Sequence, residues 1–243
     1  MVALAFLFGL WTATLRAKHE KIPADKIADI VLWLMIGAIA GARIVYVMTY
    51  WKEEFASEPF TELFMIQHGG LVYYGGLIGA IIAGAICIRW KKLPLWKTAD
   101  VLAPSIALGS VFGRTGCMLN GCCYGRPTNV PWAITFTNPQ AHNLSGTPLF
   151  VPLHPTEIYD AVLNLGLYIF LAWLFRRKKF NGQIFATYLL CYAITRSIVE
   201  YFRGDYSTLH YHFGLTPAQW ISVPIFIAGL LLAAMLSRRA SAK

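Results

Sequence analysis

Seven long apolar runs, separated by short charged clusters, constrain this chain more than any other feature. The chain is 57% hydrophobic and only 14% charged, which is typical of integral membrane proteins rather than of soluble domains. A helix needs about 20 apolar residues to cross the hydrocarbon core of a bilayer. The runs cover residues 1–15, 27–49, 71–88, 101–119, 158–175, 184–202 and 217–236. The sequence therefore predicts an all-α integral membrane protein with seven transmembrane helices.

The distribution of basic residues predicts how these helices are oriented. Most of the 21 lysines and arginines follow the first, third, fifth and seventh runs, which places those ends in the cytoplasm. The opposite side has few basic residues and carries the acidic side chains of Glu53, Glu54, Glu58 and Glu62. We therefore expect an external amino terminus and a cytoplasmic carboxyl terminus. The same clusters account for the net charge of +9, and no basic stripe indicates nucleic-acid binding.

The segment between the fourth and fifth runs, residues 124–155, is too polar to cross a membrane. Its turn-prone stretches PTN, NPQ and SGTP alternate with short β-prone stretches such as residues 132–136. The segment is expected to form a small external head. With no internal repeat in the sequence, residues 1–243 are interpreted as a single transmembrane domain that carries this head as an insertion.

Three arginines lie deep in the apolar runs. Arg114 and Arg196 each follow the cytoplasmic start of a run by fourteen residues, or roughly 21 Å of helix, and Arg43 reaches a similar depth. An arginine at membrane depth costs about 3 kcal/mol and by default faces a polar partner or ligand inside the protein. We therefore expect these three guanidinium groups to be functional or paired.

One segment, RSIVEYFR, spaces Arg196, Glu200 and Arg203 at i, i+4 and i+7, on one face of a helix. An internal salt bridge between helices is one interpretation, since buried ions are usually paired. An anionic ligand is the other, because Glu200 is the only acidic partner in view for three arginines and guanidinium groups bind phosphate through two parallel hydrogen bonds.

Two glycine-rich motifs lie on the same side of the membrane as these arginines. In HGGLVYYGG, Gly69 and Gly70 follow His68, which is either a structural residue at a helix start or a proton acceptor. In GRTGCMLNGCCYGRPT, the glycines of residues 113–125 predict a break in the helix, with backbone N–H groups turned towards an anion.

The second motif also carries Cys117, Cys122 and Cys123. Their spacing, C-x4-C-C, lacks the paired C-x2-C sets of a structural zinc site, so no metal is predicted. A disulfide between two of the three remains open for an external position. The alternative is that these thiols only shape the cavity.

Four separated motifs give the chain a likeness to a known family. They are HGGLVYYGG at His68, GRTGCMLNGCCYGR at Gly113, HPTEIYDA at His154 and RSIVEYFRGD at Arg196. In these motifs the chain resembles the prolipoprotein diacylglyceryl transferase family of bacterial inner-membrane enzymes. Cys117 and Cys122 stand where the best-known members have Asn and Glu.

The resemblance implies transfer of diacylglycerol from phosphatidylglycerol to the lipobox cysteine of a preprolipoprotein, without metal, nucleotide or other cofactor. It implies a multi-pass protein of the bacterial inner membrane whose partners are phosphatidylglycerol, the lipobox peptide and the bilayer. The expected catalytic residues are His68, Arg114, Arg196 and Glu200. The expected substrate-binding residues are Arg43, Gly69, Gly70, Asn120, Gly121, Gly125 and Arg203.

Two other classes of function are compatible with charges at membrane depth. A transporter or channel for an anionic substrate would also carry them, although such proteins usually show repeats or helices broken near the midplane. A non-catalytic phospholipid-binding protein is the third class. An enzyme would turn over phosphatidylglycerol when purified, whereas a non-catalytic lipid-binding protein would not.

The orientation is tested by reporter fusions. Fusions after Lys97 and Lys179 are expected to report a cytoplasmic position, and a fusion at Ser145 an external one, because basic loops stay in the cytoplasm. A cytoplasmic signal at Ser145 would contradict the seven-helix arrangement.

Overall fold

The computed structural model describes residues 1–56, 59–205 and 214–241, without the side chains of Phe60 and His68. Glu58, which contributed to the predicted orientation, lies outside the described residues. The helices are α1 (Val2–His19), α2 (Ala24–Thr49), α3 (Tyr73–Trp90), α4 (Leu95–Asn120), α5 (Pro139–Ser145), α6 (Thr156–Phe175), α7 (Gln183–Phe202) and α8 (Pro217–Ser241). Short turns of π- and 3₁₀-helix occur at Trp51–Phe55, Phe60–Phe64 and Ile66–His68.

Each of the seven apolar runs is helical, and five of these helices are long and apolar enough to cross a membrane: α2, α3, α4, α6 and α8. Helix α7 is less apolar because it carries Arg196 and Glu200 among other polar residues. The prediction of a mainly helical membrane protein is confirmed by these helices. That all seven helices cross the membrane, and in which direction, stays a prediction, as does the single domain.

The chain forms two compact units, residues 14–98 and residues 1–13 with 99–243. In the first unit, α2 and α3 pack closely through glycines spaced four apart, Gly37 and Gly41 against Gly75 and Gly79. A Cβ added at Gly41 would lie 2.8 Å from the Cα of Gly79, and one at Gly75 would lie 2.5 Å from the carbonyl oxygen of Gly41. Small residues at this spacing let membrane helices approach until their backbones touch.

In the second unit, the buried carboxylate of Asp100 in α4 binds the start of α7. It accepts hydrogen bonds from the backbone N–H groups of Gly182, Ile184 and Phe185 at 2.8–3.1 Å, and Lys178 pairs with it at 3.0 Å. The first N–H groups of a helix have no partner within the helix, and a negative charge there is favourable. Asp100 therefore fixes the start of α7 relative to α4. Arg114 lies fourteen residues after Asp100 in α4, and Arg196 lies fourteen residues after Gly182 in α7.

The predicted external head contains a small sheet and one short helix. Strands β1 (Ile134–Thr135) and β2 (Pro152–Leu153) pair antiparallel, with Ile134 opposite Leu153. The β-prone stretch at 132–136 is thus a strand in part. Helix α5 was not expected. Asn138 caps its start with a side chain that accepts a hydrogen bond from the N–H of Gln140 at 3.0 Å, and Gly146 caps its end with a φ of 66°.

Replacing Asp100 with alanine tests the connection between α4 and α7. We expect Asp100→Ala to lower the free energy of unfolding by about 3 kcal/mol, because Lys178 and three backbone donors lose a buried partner. The measurement is thermal unfolding in detergent. The control is Asp25→Ala, which removes an exposed acid from the first turn of α2. Equal shifts in the two variants would contradict the role of Asp100.

Candidate functional site

Arg114, near the end of α4, forms an ion pair with an acidic residue that the sequence analysis did not select. Its Nε lies 2.7 Å from Oδ2 of Asp160 in α6, and the Asp160 side chain is almost completely buried. Among the described residues, the guanidinium has no other hydrogen bond or ion pair, so its two terminal nitrogens remain available. The statement that Glu200 is the only acidic partner in view was therefore wrong.

Asp160 belongs to a buried polar line on α6. Glu157, Asp160 and Asn164 are spaced three and four residues apart, on one face of the helix, and each is at most 5% exposed. The Nδ2 of Asn164 donates to Oδ1 of Asp160 at 2.6 Å, which leaves Oδ2 directed at Arg114. Oε1 of Glu157 is buried and has no hydrogen-bond partner in the described part of the chain. The line fixes the orientation of the Arg114 guanidinium from one side.

Arg196 and Glu200 pair along α7, as predicted. Nη2 of Arg196 lies 2.7 Å from Oε2 of Glu200, and the carboxylate is fully buried. Nη1 of Arg196 and both carboxylate oxygens of Glu200 are buried, with no hydrogen-bond partner among the residues described. A buried guanidinium N–H without a partner costs free energy unless a ligand accepts from it. This pair therefore presents an unused cationic donor inside the protein.

Arg203 does not continue this face, contrary to the sequence analysis. Helix α7 ends at Phe202, and Arg203 has extended backbone, with φ −69° and ψ 142°. Its guanidinium pairs with Asp205 instead, and its Nε donates to Oδ1 of that residue at 2.9 Å. Arg203 therefore faces a different acid from Arg196.

Three chain segments cross closely at Gly125. The residue forms an isolated antiparallel bridge with Arg203, and a Cβ at Gly125 would lie 2.6 Å from the Cβ of His154 and 3.0 Å from its carbonyl carbon. The N–H of Gly204 donates to the carbonyl of Tyr124 at 3.1 Å. This packing explains the glycine on structural grounds. Its predicted contact with substrate stays a prediction.

The predicted helix break occurs within the motif, at Gly121. Helix α4 continues through Gly113 and Gly116 as far as Asn120, which is exposed. Gly121 then adopts a φ of 71°, and its carbonyl accepts a hydrogen bond from Oγ1 of Thr147. Only glycine adopts this backbone conformation without strain, so Gly121 ends the helix.

The three cysteines of the motif come together at this helix end as free thiols. Their Sγ atoms all lie within 4.8 Å of one another. Cys123 follows the end of α4, and its pKa is below the ordinary value, first because Cys117 donates a hydrogen bond to its sulfur and then because Arg203 and Arg114 are nearby. Cys123 thus lies close enough to both arginines to sense their charge. The disulfide left open by the sequence is absent from the described residues.

In the unit of residues 14–98, Arg43 binds the loop that precedes α3. Its guanidinium donates to the carbonyls of Glu62, Leu63, Gly69 and Gly70 at 2.7–3.3 Å. Gly69 and Gly70 both have positive φ, 90° and 77°. Arg43 therefore shapes the loop that contains His68, whose side chain lies outside the description. Direct binding of substrate by Arg43, Gly69 or Gly70 stays a prediction.

Sequence reasoning missed Asp160, Asn164 and Glu157, although HPTEIYDA was one of the motifs that it used. A signal was present. Acidic and amide side chains at helical spacing in the first turns of an apolar run are costly in a membrane and therefore need partners. In the predicted orientation, the fifth apolar run enters from the external side, so its first turns would lie at the depth of Arg114 in the fourth run.

The chain matches a known protein family over most of its length. The family model of prolipoprotein diacylglyceryl transferase matches residues 1–235. The chain belongs to the prolipoprotein diacylglyceryl transferase family. The chain is similar to proteins named phosphatidylglycerol–prolipoprotein diacylglyceryl transferase. It is 37% identical to the one from Finegoldia magna, over 96% of this chain and 87% of the relative. The protein of Mannheimia succiniciproducens is 33% identical over 100% of this chain and 88% of its own length.

Breaking the Arg114 pair measures how much the fold depends on it. We expect Asp160→Asn to lower the free energy of unfolding by about 3 kcal/mol, the low end for breaking a buried pair, because the Arg114 side chain remains 24% exposed. Thermal unfolding in lipid nanodiscs gives the value. Asp29→Asn is the control, since its pair with Lys91 is more exposed, at 42% for the Asp29 side chain and 30% for that of Lys91, and is worth about 0–1 kcal/mol. A loss no larger than in the control would show that Arg114 is neutralised elsewhere.

Proposed function

We propose that this protein transfers the diacylglyceryl group of phosphatidylglycerol to the lipobox cysteine of a preprolipoprotein, as a multi-pass enzyme of the bacterial inner membrane. Family membership over almost the whole chain supports the reaction. Two ion pairs support the assignment of the site, Arg114 with Asp160 and Arg196 with Glu200. In each pair the guanidinium group keeps N–H donors that no described residue uses.

These two pairs suit a phosphate ester in an apolar setting. Each carboxylate lies 2.7 Å from one guanidinium nitrogen and holds the orientation of that group, which leaves other N–H groups for phosphate oxygens. Donors that are already oriented do not have to reorganise when charge develops on the leaving group. Arg114 and Arg196 therefore bind and stabilise the phosphate, while Asp160, Asn164 and Glu200 position them.

The chemical step is a displacement at carbon. The sulfur of the acceptor cysteine attacks the glycerol carbon that bears the phosphate, a C–S bond forms, and the C–O bond to phosphate breaks. The electron pair of that bond leaves with glycerol 1-phosphate, and the product is a thioether. Positive charge on Arg114 and Arg196 favours this departure, since the phosphate gains negative charge as the bond breaks.

The acceptor thiol has to lose its proton, because the thiolate is the nucleophile. A free cysteine has a pKa of about 8.5, so a base or a positive environment is needed near neutral pH. His68 is the candidate base on the external side, in the loop that Arg43 holds through four carbonyls. The lipobox peptide is expected to approach from the external side that the distribution of basic residues predicts.

The assignment of Arg114 is tested by mass spectrometry of a synthetic lipobox peptide incubated with purified protein and phosphatidylglycerol. The wild-type protein is expected to add one diacylglyceryl group to the peptide. Arg114→Lys is expected to lose about 100-fold in kcat/KM, because a compact ammonium keeps the charge but not the two parallel hydrogen bonds.

The control is Arg177→Lys, at an exposed position after α6. Near-normal turnover of Arg114→Lys would reduce Arg114 to a point charge. Binding of phosphatidylglycerol without any peptide product, in a wild-type protein that unfolds cooperatively, would instead indicate the non-catalytic lipid-binding class.

A further inference from the structure

The three cysteines at the end of α4 form a cluster that the transfer reaction does not use. Cys117 lies in the last turn of α4, and Cys122 and Cys123 follow that helix. Their sulfur atoms lie within 4.8 Å of one another, and all three are free thiols of intermediate burial. Three sulfurs from one short segment thus converge on a common point.

The backbone is bent to bring these sulfurs together. Gly121 and Cys123 both take the left-handed conformation, with φ of 71° and 69°, and for Cys123 this conformation is strained. Hydrogen bonds hold the turn: Cys122 N–H donates to the carbonyl of Cys117 at 3.1 Å, and Oγ1 of Thr156 donates to the carbonyl of Cys123 at 2.8 Å. Strain of this kind persists where surrounding contacts impose it, and it concentrates at functional sites.

We propose that Cys117, Cys122 and Cys123 form a binding site for a thiophilic metal ion with a filled d shell, Zn²⁺ or Cu⁺. Cysteine thiolates are the ligands that select these ions. Zinc–sulfur bonds of about 2.3 Å in a tetrahedron place neighbouring sulfurs about 3.8 Å apart. Since the present sulfurs lie within 4.8 Å of one another, shifts of about 1 Å reach that spacing. Three protein ligands leave a fourth position for water or another donor.

The charges around the cluster suit an anionic metal–thiolate complex. Three thiolates with one Zn²⁺ leave a single net negative charge, and the three thiol protons go to solvent. The guanidinium groups of Arg203 and Arg114 interact electrostatically with Cys123 and offset part of that charge, against the opposing charge of Asp205. The sequence predicted no metal because C-x4-C-C lacks paired C-x2-C sets, but the turn at Gly121 supplies the convergence that such sets normally provide.

A bound ion would connect two parts of the candidate site. It would join α4, three residues after Arg114, to the segment at Cys123, whose carbonyl is bound by Thr156 at the start of α6. Asp160, the partner of Arg114, lies one turn further along α6. The metal site is thus a brace for the turn, and it is independent of whether the proposed transfer occurs.

The test is metal content and does not depend on enzymatic activity. Full-length protein in detergent is reduced, stripped with a chelator and titrated separately with Zn²⁺ and Cu⁺, and bound metal is measured after desalting. We expect one tightly bound ion per chain. Cys123→Ser and the triple serine variant should lose it, while Cys191→Ser, which changes a cysteine of α7, should retain it. Titration with Co²⁺ should produce thiolate charge-transfer absorption only when the cluster is intact.

Wild-type protein provides a second measurement that is independent of how the variants fold. Zn²⁺ or Cu⁺ should protect Cys117, Cys122 and Cys123 from alkylation, read by peptide mass spectrometry, and leave the labelling of Cys191 unchanged. Absence of such protection, equal metal content in the wild-type protein and the triple variant, or a disulfide between two of the three cysteines in the protein as isolated would overturn the proposal.

Discussion

The structure depends on the neutralisation of arginines inside apolar helices. An unpaired guanidinium at that depth is too costly to keep, so each of the two central arginines is bound to a buried carboxylate, Arg114 to Asp160 and Arg196 to Glu200. Each carboxylate satisfies only part of its guanidinium. The unused donors are available for a ligand, which the proposed function identifies as the phosphate of phosphatidylglycerol.

Buried polar contacts also position the elements that carry these pairs. Asp100 binds the start of α7 from α4, and the crossing at Gly125 brings the chain after α4 against His154 and the residue that follows α7. Apolar surface could not do this alone in a membrane, because lipid chains are as apolar as the helices. Directional hydrogen bonds and close glycine contacts therefore determine where the helices meet.

The sequence predicted the helices well because the cost of unsatisfied backbone in lipid leaves little choice for a long apolar run. It also predicted the Arg196–Glu200 pair, which is local to one helix. It did not find Asp160, whose partner is 46 residues away in the chain, since a pattern along one helix says nothing about its neighbours. The same limit applies to Arg43, whose partners are backbone carbonyls. It also applies to Arg203, which was expected on the helical face of Arg196 but follows the last residue of α7.

The most direct test of this account is an experimental structure of the protein with phosphatidylglycerol bound and no acceptor peptide present. The account predicts phosphate oxygens about 3 Å from guanidinium nitrogens of Arg114 and Arg196, with the Asp160 and Glu200 pairs still formed. A phosphate bound by other residues, with neither guanidinium in contact, would contradict it.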